Sequence, residues 1–194
     1  MAPRSKTRVR TQRLAGTAVA CAVGAGALVG CGSSSSDESD APSPSVSASN
    51  SASSDPDQAA KDKVLAAYRG YWDAQVKAYA KASPVGTGLE KYAFDKALGK
   101  ADSELAALKL AGNVIKGEPK LSPKVTAVSL NESPKKATIT DCVDVTNWKL
   151  VKEKTGEEVK LPKERLTRFV TTISARTVGD TWMIVETQQQ DRTC

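Results

Sequence analysis

The stretch KKATITDCVDVTNWKLV, Lys135 to Val151, alternates for most of its length between residues that suit a sheet core and residues that suit water. Ala137, Ile139, Asp141 and Val143 share one parity; Thr138, Thr140, Cys142 and Asp144 share the other. A period of two, rich in Val, Ile and Thr, marks a strand with one buried face. The alternation sends Asp141 to the side of Ile139 and Val143, into the core. A carboxylate there needs a partner, with Arg165, Arg168, Arg176 or a phenol as candidates.

Three more stretches keep this period: KVTAVSL from Lys124, RLTRFVTTISARTV from Arg165 and DTWMIVETQQQ from Asp180. Turn-forming residues separate them at Asn131 to Pro134, Lys154 to Gly156 and Val178 to Asp180. Upstream the period lengthens to that of a helix. Asp55-Pro56 supplies an N-cap and a first-turn proline for a helix predicted to run to about Ala82. Val64, Leu65 and Val76 fall on one arc of it with the aromatics Tyr68, Tyr71, Trp72 and Tyr79. Ser83-Pro84, Gly86 and Gly88 stop it. A second helix is predicted from about Leu89 to Leu110, with Phe94, Ala97, Leu98, Ala101, Leu105 and Leu108 inward and Gly99 as a candidate break. Gly112, Gly117 and Pro119 end the helical half. Two helices followed by an antiparallel meander is an α+β order, and the helices carry the apolar stripes needed to cover one sheet face.

The N-terminus says where the chain works. Arg4, Lys6, Arg8, Arg10 and Arg13 occur without an acid, and an Ala/Gly/Val/Leu run follows from Leu14 to Gly30. That is the plan of an export signal, and the run is short beside the ~20 apolar residues of a membrane-spanning helix. The junction Leu28-Val29-Gly30-Cys31 resembles the lipobox of bacterial lipoproteins, in which the cysteine thiol takes a diacylglycerol. Residues 1–30 therefore read as a lipoprotein signal peptide and Cys31 as the lipidation site. Residues 31–56 are its Ser/Asp/Pro-rich tether, too poor in apolar side chains to order itself. A flexible coil of about 24 residues spans roughly 27 Å. Residues 57–194 form the predicted folded domain. The expected location is the extracytoplasmic face of the cell membrane, held by lipid.

Removing the signal also removes the apparent basicity. Five of the 28 Lys and Arg lie in it, leaving 23 against 22 acids, a net charge of +1 instead of +6. No basic face for nucleic acid is indicated. In an oxidising compartment the remaining pair, Cys142 and Cys194, is expected to form a disulfide. The chain has no histidine. Ser-His-Asp and Cys-His catalysis and His-ligated zinc are thereby excluded. No glycine-rich phosphate loop follows a strand, and no cofactor or metal is implied.

The order of two helices and a curved antiparallel sheet closing in the hairpin TVGDTWMIVE resembles the cone-shaped nuclear-transport-factor-two-like (cystatin-like) fold. The runs KATITDCVDVTNW and KTGEEVKLPKERLTRF are further similar to uncharacterised secreted lipoproteins of actinobacteria. The resemblance covers roughly Asp57 to Cys194 and implies a fold and a compartment; it carries over no catalytic residue.

Two sets of residues are candidates for function. Tyr68, Tyr71, Trp72 and Tyr79 face the sheet, either as a pocket for a small amphipathic ligand or as ordinary core with wet hydroxyls. Asp141, with Asp144 and Glu186 near it in the pattern, is either a structural ion-pair member or a tuned proton-transfer base. The Lys149 to Arg168 segment, with seven basic and four acidic residues, reads as a solvated hairpin or a contact for anionic polymer or phospholipid. The expected function is that of a membrane-anchored binding or accessory domain of the cell envelope, without catalysis, whose partner is an envelope protein or a small amphipathic ligand. The alternative is an isomerase or cyclase with Asp141 as base and the tyrosines as polarising donors.

Overall fold

The computed structural model describes residues 55–194; Cys31 and the tether lie outside them. Helix α1 spans Pro56–Tyr79, opened by Asp55, whose side chain accepts from the Asp57 N–H at 3.0 Å. It ends three residues before the predicted Ala82. Its buried strip combines Val64, Tyr68 and Tyr71 with Ala60, Ala67, Ala74 and Ala78. Leu65 and Val76 flank that strip, half-buried. Small residues let the helix lie close to its neighbours. At Gly70 a Cβ would fall 2.3 Å from Cε1 of Tyr92, so only glycine accommodates that ring.

Helix α2 spans Asp95–Leu110, not Leu89 to Leu110 as predicted; a 3-10 turn, Leu89–Lys91, precedes it. The cause lies in the last strand. Ile184 donates its N–H to the Tyr92 carbonyl at 2.7 Å and accepts from the Phe94 N–H at 2.9 Å, so this segment is bonded to a strand instead of a helical turn. Phe94, expected inward, is 39% exposed and lies under the Arg176 guanidinium, 5.2 Å from its centre. Gly99 is an exposed position inside α2 and breaks nothing.

Six strands follow: β1 (Asn113–Lys116), β2 (Lys124–Ser129), β3 (Lys136–Asp144), β4 (Lys149–Lys152), β5 (Arg168–Val178) and β6 (Thr181–Gln189). A four-stranded antiparallel sheet has the order β2-β3-β5-β6, with Ile139 opposite Ile173; β1 and β4 form a separate antiparallel pair, with Val114 opposite Val151. The predicted strand through Val151 is thus broken after Asp144. The Asp144 carboxylate accepts from the Thr146 N–H at 2.9 Å, and Trp148 donates to the Val145 carbonyl at 3.0 Å, which closes a turn. The chain leaving β1 passes hard against that turn. Gly117 has φ +81°, and a Cβ there would fall 2.0 Å from the Asn147 carbonyl oxygen.

Both helices cover one face of the larger sheet, where Val64, Tyr68 and Leu105 join Ile139, Ile173 and Ile184 in one core cluster. Two irregularities bend the sheet. In β2 the pairing shifts between Val125 and Ala127. In β6 an extra residue, Val185, sits between Ile184, opposite Ala175, and Glu186, opposite Ser174. It reverses the parity of the strand. Strict alternation from Trp182 and Ile184 would turn Glu186 inward; instead Thr187 shares the inner face with Ile173, and Glu186 pairs with Lys96 at 3.0 Å.

Cys142, on the face of β3 opposite to Asp141, is disulfide-bonded to Cys194 with Cα atoms 5.9 Å apart. The last residues reach it by crossing Val170: the Val170 N–H donates to the Arg192 carbonyl and its carbonyl accepts from the Gln190 N–H. No described helix is long and apolar enough to cross a membrane.

Candidate functional site

Between α1, α2 and the inner face of β5 and β6 lies a cavity of about 480 Å³. Its size is ordinary for a small-molecule site. Tyr68, Tyr71, Trp72 and Tyr79 all line it, so the helix arc read from the sequence is one wall. The opposite wall is Trp148, Phe169, Thr171 and Ile173, with Thr187 and Gln189 from β6. Ala107 and the charged pair Lys100 and Glu104 border it on the exposed side of α2.

The aromatic wall is built from edge-to-face contacts and one tilted pair, Tyr79 with Trp148. Trp72 meets Trp148 with ring centres 5.6 Å apart, Tyr79 meets Trp148 at 5.3 Å, and Tyr68 meets Trp72 at 6.5 Å with perpendicular planes. Such pairs contribute about 0.5–1.5 kcal/mol each beyond the area they bury. Trp148 reaches the cavity because the turn after β3 projects it there. The Asp144-x-Thr146 Asx turn was the local signal for that break, and the alternation masked it.

Asp141 is not part of the lining, contrary to expectation. It is 1% exposed and lies behind Tyr68, whose hydroxyl donates to its Oδ2 at 2.7 Å, while the Ser122 N–H donates to its Oδ1 at 2.6 Å. Burial raises its pKa above the usual carboxylate value, and the hydrogen bonds from Tyr68 and Ser122 oppose the rise. None of the expected arginines is its partner. Arg176 lies 3.6 Å from Asp95, and Arg168 lies 4.0 Å from Asp144, at the rim of the sheet. The phenol is the partner instead. Glu186 is separated from β3 by β5 and faces away.

The tyrosines are held neutral. Burial, then the negative field of Asp141, pushes the Tyr68 pKa up; the Trp72 indole beside it opposes this without reaching hydrogen-bond geometry. For Tyr71 the causes are burial and then Glu104, against the Thr187 side chain. For Tyr79 they are burial and then its hydrogen bond to Glu104. Tyr68 therefore directs its proton to Asp141 behind the lining and Tyr79 to Glu104 on the cavity's border, which leaves Tyr71 as the phenol without such a carboxylate acceptor.

Three buried polar atoms in this wall have no hydrogen-bond partner among the described residues: Nε1 of Trp72, Nε1 of Trp148 and Oγ1 of Thr171. Each unpaired buried group of this kind costs about 1–3 kcal/mol. Among the described residues no group of His, Cys, Asp and Glu could hold a metal ion. The Lys149 to Arg168 segment begins as the expected exposed hairpin: the Lys152 N–H donates to the Glu157 carbonyl at 2.8 Å, the Val159 N–H donates to the Leu150 carbonyl at 2.9 Å, and Lys149 pairs with Glu158 at 3.1 Å, while its first four residues, β4, also pair with β1.

No protein-family model and no curated protein matches the chain. Among solved structures it is similar to the intermembrane-space region of the chloroplast protein ARC6, with TM-score 0.45 and 12% identity over 66% of this chain and 95% of that one. It is also similar to an NTF-2-like protein of unknown function from Shewanella oneidensis MR-1, with TM-score 0.36 and 16% identity over 67% of this chain and 98% of that one. At these scores the fold rests on its own description: an α+β arrangement of two helices over an antiparallel sheet.

Proposed function

We propose that the chain is a lipid-anchored, extracytoplasmic binding domain of the nuclear-transport-factor-two-like plan, whose cavity takes a small amphipathic ligand without transforming it. The observation that carries the reading is the cavity of about 480 Å³, walled mainly by aromatic and apolar side chains with the Lys100–Glu104 pair at its border, and with the core carboxylate Asp141 sealed behind Tyr68. Such a lining favours apolar surface with a few hydrogen-bonding atoms. Asp141, the carboxylate expected as a proton-transfer base, lies behind the lining with both oxygens engaged. The helices-then-meander order and the bulged sheet support the cone-shaped plan. The Leu28-Val29-Gly30-Cys31 junction and the Ser-rich tether support the anchor.

Each half has its own test. The neutral dye N-phenyl-1-naphthylamine should gain fluorescence with the wild-type chain and lose that gain with Ala107→Trp, which places a bulky ring over the exposed edge of the cavity. Equal signals from both proteins would refute cavity binding. For the anchor, Cys31→Ser should abolish palmitate labelling and release the protein from membranes, and unchanged membrane association would refute lipidation.

A further inference from the structure

The aromatic wall has an electrostatic character as well as a shape. Trp148 stands at its centre, with its ring centre 5.6 Å from that of Trp72 and 5.3 Å from that of Tyr79, and Trp72 continues the series to Tyr71 at 6.2 Å. The planes are inclined by 71° between Trp72 and Trp148 and by 46° between Trp148 and Tyr79, so the rings make corners and not a flat stack. The face of an aromatic ring is its negative side, and it attracts a cation within about 6 Å of the centre. Rings this close let one cation lie against two of them.

The charges around the wall act in the same sense. Lys100 and Glu104 are the charged residues of the described lining, and Asp141 lies behind Tyr68. Tyr68 donates to Asp141 and Tyr79 to Glu104, and a phenol that donates to a carboxylate has the more electron-rich ring. Burial pushes the pKa values of Tyr68, Tyr71 and Tyr79 up, and a carboxylate pushes each further: Asp141 at Tyr68, and Glu104 at Tyr71 and Tyr79. No described cation offsets these pushes; Lys100, 3.9 Å from Glu104, has half of its side chain in water.

An anion would therefore be repelled. A primary ammonium brings N–H donors that want acceptors, while Glu104 already accepts from Tyr79 and both Asp141 oxygens are taken. A quaternary ammonium has no such donors and is satisfied by ring faces.

We propose that the cavity takes an organic cation of the quaternary ammonium class, its trimethylated nitrogen held among Trp72, Trp148 and Tyr79 beside Glu104, and its hydrocarbon part against Ile115, Phe169 and Ile173. This rests on the cavity-binding reading above and goes further by naming the charge and head group of the ligand.

The test is calorimetric titration of the full-length protein with three probes that share one skeleton: choline, its uncharged isostere 3,3-dimethylbutan-1-ol, and ethanolamine. Choline should bind about tenfold tighter than either. Variants are read by the ratio of choline affinity to isostere affinity, so that a change in the shape of the cavity, which acts on both probes, drops out. Trp148→Leu should bring that ratio to about threefold or less, and Glu104→Gln should lower it by about twofold. Equal or tighter binding of the isostere or of ethanolamine, no binding of choline, or an unchanged ratio in Trp148→Leu overturns the quaternary-ammonium assignment, even where the wild-type cavity still binds N-phenyl-1-naphthylamine. Failure of the wild-type protein to bind that dye overturns the cavity-binding reading beneath it.

Discussion

The Tyr68 hydroxyl donates to Asp141 across the helix-sheet interface, at 2.7 Å and with both side chains fully enclosed. Tyr79 makes the chemically equivalent bond to Glu104, but at an edge open to water. The same substitution should therefore cost different amounts. Tyr68→Phe leaves a buried carboxylate short of a donor and should lower stability by about 2–3 kcal/mol at neutral pH. Tyr79→Phe should cost less than about 1 kcal/mol. Urea unfolding of the two variants checks this, and equal losses would mean that Asp141 has a partner besides Tyr68 and Ser122.

Asp141 also fixes a pH dependence. Its folded-state pKa is raised by burial above the ordinary 3.8, so the folded chain holds this proton more tightly than the unfolded chain does. The stabilising contribution is complete below the ordinary value and drains away as pH rises through the raised one. Asp141→Asn cannot ionise. Its stability relative to wild type should therefore improve as pH rises from the ordinary 3.8 through the raised value. Glu132 and Glu186, lowered by their lysine partners, act in the opposite sense in both proteins and cancel in the comparison. Parallel urea midpoints across that range would contradict the assignment.

Gly117→Ala tests the support of Trp148. The added methyl would collide with the Asn147 carbonyl, and the left-handed backbone adds about 1 kcal/mol of its own. We expect a loss of about 2–3 kcal/mol in all. A shift in tryptophan emission should accompany it as the turn carrying Trp148 moves. Gly112→Ala, also at positive φ but with no atom within 4 Å, should show only the backbone cost and no spectral change.

The Cys142–Cys194 bridge closes 51 intervening residues and pins the last strand's extension over Val170. The double substitution to Ser should cost about 2–4 kcal/mol, chiefly by freeing the unfolded chain. Hydrogen exchange at the Val170 amide should rise first. Unchanged urea midpoints with and without reductant would oppose a structural role for the bridge.

The sequence made the inner face of β3, the disulfide pair and the tyrosine arc legible, because each rests on local periodicity or on parity of cysteines. It hid the features set by distant backbone. The start of α2 depends on Ile184, some ninety residues away, occupying the Tyr92 and Phe94 backbone. The four-residue β1 strand has too few side chains to show a period, and its partner β4 was read as the end of a longer strand. Trp148 and Gln189 became cavity residues only through a turn and a bulge that alternation alone does not register, whereas Thr171 follows Ile173 by parity. The partner of Asp141 was open among three arginines and a phenol, and only the tertiary approach of α1 to β3 selected Tyr68.

Val185 separates two properties that are usually mutated together. Because the hairpin at Gly179 anchors the register, deleting this one residue would still leave Thr187 opposite Ile173, while the strand lost its kink. Conversely, replacing Thr187 or Gln189 would change what the hollow offers a guest without altering its curvature. Shape and chemistry are thus under independent genetic control, and a lineage built on this scaffold can drift in one while selection holds the other.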